Sequence, residues 1–141
     1  MMNYQVDACY MDNENGESLI VGGSIMVLEK RDQASDDNES VKEMLQMIES
    51  EEIKTLFRLL SFMNNSCKVF DKYEVDSLYE GRGVVVHEDY RGLGIAVEIL
   101  KMRSVICKER GVPLTFAWMT AFGTQKAAAK LGWETVYELE Y

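Results

Sequence analysis

At 141 residues and 47% hydrophobic content the chain is long enough to bury one core, and no apolar run approaches the ~18 residues needed to span a bilayer. A formal net charge of −9 excludes the basic footprint that nucleic-acid binding requires. Ten glycines and a single proline complete an ordinary globular composition, so one soluble domain over residues 1–141 is expected, with neither nucleic acid nor membrane as a partner.

Met1 to Asp7 carries no basic stretch followed by an apolar one, which predicts no secretory signal. Cys9, Cys67 and Cys107 are widely spaced, without a CxxC pair or a histidine cluster. They read as reduced thiols of a cytoplasmic protein, forming neither disulfide nor metal site. Gln5–Met11 and Leu19–Glu29 are β-compatible runs separated by a turn containing Asn15-Gly16, which predicts an antiparallel hairpin. Arg31–Asn38 is polar and acidic, a surface loop, and Ser40 with Glu43 three residues on forms a capping box.

From Val41 the positions Met44, Leu45, Ile48, Ile53, Leu56, Phe57, Leu59, Leu60 and Met63 recur at helical spacing. They predict one helix, or two broken near Ser50–Glu52, with the methionines as core filler. Ser66–Glu80 is expected to be a loop with a short helical turn leading into Leu78–His87, where the run Gly83-Val84-Val85-Val86 is the strand. After Arg91-Gly92-Leu93-Gly94-Ile95-Ala96, a helix runs to Arg110 and stops at Gly111, with Pro113 just beyond. Leu114–Thr120 reads as a buried strand, Thr124–Leu131 as a short helix closed by Gly132, and Trp133–Tyr141 as an alternating strand. The pattern is α/β, with a mixed central sheet flanked by helices.

The Arg91–Ala96 loop carries the chemistry. A valine strand that turns directly into a helix through Gly92 and Gly94 leaves backbone N–H groups unpaired at the helix start, where an anion can sit without help from lysine. A side chain at either glycine would keep a pyrophosphate away from the backbone. The Gly-Lys-Ser/Thr of a P-loop is absent, and a GxGxxG fingerprint would have Val97 in place of its third glycine.

What remains is Arg-x-x-Gly-x-Ala behind an apolar strand, Val84-Val85-Val86-His87-Glu88-Asp89-Tyr90-Arg91-Gly92-Leu93-Gly94-Ile95-Ala96. This resembles motif A of the GNAT N-acetyltransferases, and Lys130-Leu131-Gly132-Trp133 looks like that superfamily's closing helix-to-strand junction. A narrower resemblance covers most of the chain. The segment Ile53–Asn64, then Phe70-Asp71-Lys72-Tyr73-Glu74-Val75-Asp76, then the VHEDYRGLGIA run, is similar to the insect arylalkylamine N-acetyltransferases, which acetylate dopamine, serotonin, octopamine and tryptamine-like amines.

The resemblance implies acetyl-CoA as co-substrate, no metal, and a small arylalkylamine acceptor that attacks the thioester directly. It implies that Val84, Val85 and Val86 bind the pantetheine arm, and that Arg91, Gly92, Leu93, Gly94, Ile95, Ala96 and Val97 bind the pyrophosphate. Many members protonate the leaving thiolate from a tyrosine and carry an asparagine near the start of the same helix, positions that here are Ala128 and Ala121. The insect branch places hydroxyl residues there instead, which implies catalytic roles for Thr120 and Thr124.

Measured against the superfamily, the chain is expected to lack the usual first strand and two helices and one C-terminal strand. The insect enzymes' basic glutamate falls in that missing segment, so the general base is assigned to no residue. His87 is expected to face solvent or flank the cofactor, with Glu88 and Asp89 as turn residues. A monomer or weak dimer is expected. The competing expectations are a non-catalytic CoA-binding or interaction protein derived from the family, and an enzyme that acetylates proteins or peptides.

Overall fold

Backbone hydrogen bonding divides the chain where its apolar period switches between two and 3.6. The computed structural model describes residues 4–34, 42–43 and 45–140. Its elements are β1 (Tyr4–Asp12), β2 (Ser18–Lys30), α1 (Arg31–Ala34), α2 (Glu51–Cys67), α3 (Val69–Tyr73), β3 (Ser77–Val86), a 3-10 turn (Glu88–Tyr90), α4 (Ile95–Arg110), β4 (Thr115–Ala117) and α5 (Phe122–Lys130). Among the described residues the strands form one sheet in the order β1-β2-β3-β4, antiparallel between β1 and β2 and parallel between β3 and β4. The fold is therefore the expected mixed sheet flanked by helices.

The β1–β2 hairpin closes through Asn13, whose side-chain oxygen accepts from the amides of Asn15 at 3.0 Å and Glu17 at 2.9 Å, while Gly16 takes φ +79°. Its register slips between Cys9 and Tyr10, which pair with Gly22 and Ile20 and leave Val21 as an extra residue. That bulge lets Val21 pack against Ile95 and Ile99 of α4. Gly22 faces the same helix, and a Cβ there would lie 3.0 Å from Ile95.

Two compact units emerge. The first holds the described residues through Leu28 together with Ser77–Glu134, and contains the whole sheet core. Met26, Tyr79, Ile106, Cys107 and Val112 form one cluster, and Leu100, Ala127 and Ala128 form another, with Val84, Val97 and Trp133 against it. The second holds the described residues of Glu29–Asp76 and those from Thr135 on. There Arg31 ties the segment together, donating from Nε to Val75 O at 3.2 Å and pairing with Asp71 at 3.2 Å.

In that second unit the predicted helical break is real. Residues 48–50 are not helical, and Ser50 caps α2 by accepting from Ile53 N at 3.3 Å. Met63 is buried, as filler should be, but Met47 is 84% exposed, and α2 also exposes Leu56 and Phe62. The Ser40 capping box and the side chains of Val41 and Met44 lie outside the described residues. Arg31–Ala34, expected as loop, is a short helix.

Three further expectations change. The β3 strand starts at Ser77, well before Gly83, because Tyr79, Glu80 and Gly81 find partners on β4. The β4 strand is only Thr115–Ala117 and half-buried, not a buried strand over Leu114–Thr120. Residues 133–140 join no strand. Alternation suits them to a sheet, but a strand exists only where a neighbouring strand completes its hydrogen bonds.

Both glycine caps hold. Gly111 at φ +66° and Gly132 at φ +74° each close a Schellman motif, with Val112 N bonded to Cys107 O at 2.9 Å and Trp133 N to Ala128 O at 3.1 Å. In each the residue after the glycine packs into a core cluster, so the cap also fixes where the chain leaves the helix. Leu100 is fully buried between α4 and α5. Leu100→Ala is expected to cost about 2–5 kcal/mol, read from the shift of the denaturant midpoint.

Candidate functional site

The site begins where two strands part. Parallel pairing joins Tyr79 to Thr115, Glu80 to Phe116 and Gly81 to Ala117, and there it stops. β3 continues to Val86 with β2 on one side and, among the described residues, no strand on the other. Val84, Val85 and Val86, the expected pantetheine-binding residues, are this open stretch. Val84 and Val86 anchor it by packing toward α4, whereas Val85 is 67% exposed.

The strand also changes phase inside the fork. Tyr79 packs toward α4, and a Cβ at Gly81 would collide with Arg103 of α4, so odd-numbered residues face the helix. Further on it is Val84 and Val86 that face α4. A bulge-like switch of one residue at Arg82–Gly83 is the consequence, and it turns the Gly83 carbonyl to the helix side, where it accepts from Arg103 Nη2 at 3.2 Å.

Beyond Val86 the chain enters the 3-10 turn and then the glycine loop. Gly92 and Gly94 sit at φ +82° and +83°, conformations that only glycine adopts without cost. The first intrahelical bonds of α4 run from Val97 N and Glu98 N back to Gly94 O at 3.0 and 3.2 Å. Among the described residues no acceptor takes the amides of Gly92, Leu93, Gly94, Ile95 and Ala96. Apart from the adjoining residues of the chain, no atom lies within 4 Å of where a Cβ would stand on Gly92 or Gly94, so the space beside both glycines is open. An unbroken run of free N–H groups at the start of a 16-residue helix is an anion cradle.

The flanking positions are occupied differently. Arg91 N donates to Glu88 O at 3.3 Å and its Nε to Val86 O at 3.2 Å, so Arg91 pins the loop to the strand end. Val97 has its amide in the helix and its side chain in the Leu100 cluster. His87 is half-exposed, accepts from Asp89 N at 3.4 Å and stands edge-on to Tyr90, while Glu88 and Asp89 form the turn.

Thr120 is exposed on the connection between β4 and α5. Thr124 lies in the first turn of α5 and its hydroxyl donates to Ala121 O at 2.8 Å, with Ala121 itself as the N-cap residue. Ala128 is buried beside Leu100. The two threonines therefore flank the N-terminus of one helix, on the chain that leaves the fork through β4.

One group was not anticipated from the sequence. Arg103 is 1% exposed, and among the described residues its Nε and Nη1 have no hydrogen-bond partner. Burial pulls its guanidinium below the usual arginine range, with Asp7 and Cys107 opposing. Its signal was positional: Ile99, Arg103 and Ile106 share one helix face, and a charged residue at core spacing is the anomaly to look for. Among the described residues no cluster of His, Cys, Asp and Glu is placed to hold a metal, and no helix is long and apolar enough to cross a membrane.

The fold has counterparts among solved structures. A scan against protein-family models found no match, and a search of curated proteins found none. The chain is similar in structure to arylalkylamine N-acetyltransferase 2 from Aedes aegypti, at TM-score 0.73 and 25% identity over 85% of this chain and 53% of that one. It is similar to mosquito arylalkylamine N-acetyltransferase-like 5b at TM-score 0.75 and 20% identity, covering 89% of this chain and 57% of the other. A Drosophila melanogaster polyamine N-acetyltransferase, which forms N-acetylagmatine, aligns at TM-score 0.70 and 17% identity, over 82% and 54%.

The fold is that of the GNAT N-acetyltransferases. Among solved structures with that fold the chain is similar to insect arylalkylamine enzymes, and it spans about half the length of the structures it matches.

The loop makes a direct prediction. Gly94→Asp puts a negative side chain into the open space beside the glycine, on the loop of free amides, and because nothing there is displaced, its folding penalty is limited to the left-handed backbone, about 1 kcal/mol. The variant is expected to melt within a few degrees of the wild type and to show no acetyl-CoA binding by calorimetry. Unchanged affinity would place the anion site elsewhere.

Proposed function

We propose that this chain binds acetyl-CoA along the open edge of β3 and the Gly92–Ala96 loop, and transfers its acetyl group to the amine of a small arylalkylamine in the cytoplasm. The observation that carries the reading is the run of unpartnered amides from Gly92 to Ala96 at the end of a strand stretch lacking a β4 neighbour. The residues fit the co-substrate: free donors for a pyrophosphate, clearance at both glycines, and an exposed strand edge to pair with the amides of a pantetheine arm. Acetyl-CoA supplies the activated acyl group. The protein's part is to hold it and to admit a neutral amine.

The acceptor class is supported by a cleft of about 590 Å³ on the sheet. It reaches from Val6 of β1 across Ile20 and Ile25 of β2 to Gly83, Val85 and His87 at the fork. Val6, Ile20 and Val85 are each more than 60% exposed and give it an apolar wall. Such a wall suits an aromatic ring, and the one carboxylate of the lining, Asp7, already accepts from Ser24 Oγ at 3.1 Å. The solved relatives named for arylalkylamines point the same way.

Thr120 and Thr124 are the hydroxyls we assign to the departing thiolate, and no residue is assigned as base. A monomer or weak dimer suffices for this chemistry.

Turnover tests the reading. Incubating the protein with acetyl-CoA and tryptamine, dopamine, agmatine or a peptide, while following free thiol, should give fastest release with the arylalkylamines. Acetyl-CoA binding without thiol release from any acceptor would identify a non-catalytic CoA-binding protein, and preference for the peptide would refute the acceptor class. Thr120→Ala or Thr124→Ala should lower kcat roughly a hundredfold if that hydroxyl delivers the proton, and Thr124→Ser should restore it.

A further inference from the structure

Arg103 places a charged group inside the core, and two of its three guanidinium nitrogens, Nε and Nη1, have no acceptor among the described residues. Its guanidinium is held from one side by Gly83 O, through Nη2 at 3.2 Å. A Cβ on Gly81 would collide with its Nη1 and Cζ, and would also come within 2.9 Å of Ala117 Cβ. Gly81 and Ala117 are the last pair of the β3–β4 ladder. Nη1 therefore sits at the apex of the fork, on the α4 side, while both it and Nε lack acceptors among the described residues. Buried donors left unmade cost about 1–3 kcal/mol each and more when charged, so a fold retains them where something else completes them.

The position matches one end of the ligand proposed above. Arg103 lies about 12 Å along α4 from Ile95, the first residue of the helix, at 1.5 Å per residue. A coenzyme A whose pyrophosphate rests on the Gly92–Ala96 amides carries its pantetheine arm, with two amide carbonyls and then the thioester carbonyl, over a comparable span.

We propose that Arg103 is a positioning residue whose Nη1 donates to a carbonyl oxygen of the pantetheine–thioester arm at the apex of the β3–β4 fork. This rests on the acetyl-CoA reading and adds a residue to it. A fixed guanidinium in a water-poor site orients the arm and draws electron density from the carbonyl it holds, and it needs no reorganisation when the amine attacks. The phase switch at Arg82–Gly83 belongs to the same device, because it delivers the Gly83 carbonyl that aims the guanidinium.

Calorimetric titration of the full chain with acetyl-CoA, CoA and adenosine 3′,5′-bisphosphate, in wild type, Arg103→Met and Arg103→Lys, is the test. The methionine variant should bind acetyl-CoA about ten- to hundredfold more weakly and the bisphosphate unchanged, with lysine in between. Loss confined to acetyl-CoA marks the thioester carbonyl; loss shared with CoA marks an amide carbonyl of the arm.

Equal weakening of all three ligands, or none of any, overturns the proposal. Failure of the wild type to bind any of the three overturns the acetyl-CoA reading, and this proposal with it. Should the methionine variant not fold, the Arg103 Nε–H resonance in ¹⁵N-labelled wild type, identified by its absence in Arg103→Lys, decides. It should shift with acetyl-CoA and stay put with the bisphosphate, and a resonance unmoved by acetyl-CoA refutes the contact.

Discussion

A backbone amide or carbonyl taken from water must find a partner, and in this protein the partner of one strand runs out. β4 pairs with β3 for Tyr79, Glu80 and Gly81 and then diverges, so the stretch through Val86 keeps one edge open. The glycine loop continues that deficit of partners into the start of α4, where Gly92 to Ala96 keep their amides free. Strand edge and helix end thus present unpaired main-chain groups on either side of the 3-10 turn, with the paired amides of Asp89 and Arg91 between them. The side chains of Val84 and Val86 hold the strand edge in place by packing beneath it.

What keeps the fork open is itself a set of close packings. Leu100 and the α5 residues Ala127 and Ala128 interlock below the sheet, and small side chains let α4 and α5 approach. The alanines that stand where many GNAT members carry an asparagine and a tyrosine are part of this: Ala128 is core, and Ala121 is a cap without a side-chain bond. Arg103 is buried on the α4 side of this arrangement, and Gly81 is required there because any side chain would strike the guanidinium.

Local rules were legible and non-local ones were not. The RGLGIA loop, the α4 boundaries at Ile95 and Gly111, and the turn at Gly16 depend on residues within a few positions of one another, and each appears where its glycines put it. Residues 133–140 alternate well, yet form no strand, because strand formation depends on a neighbour that their own sequence does not encode. For the same reason β3 was cut short in advance: Ser77–Arg82 is polar enough to look like loop until β4 lies beside it. Arg103 was hidden by its charge, since periodicity counts apolar residues and passes over a lysine or arginine on the buried face.

The two ends of the sheet also differ in how they are assembled. The β1–β2 hairpin closes over the few residues from Asn13 to Glu17, a contact of low sequence separation that forms early and cheaply. The β3–β4 ladder joins residues separated by the whole of α4, so its three rungs carry a larger loop-closure cost than the hairpin does. A molecule that lies along β3 and bridges toward β4 supplies rungs the chain omits. Occupancy of the fork and the local stability of the sheet's last strand are then thermodynamically linked, so that each raises the other.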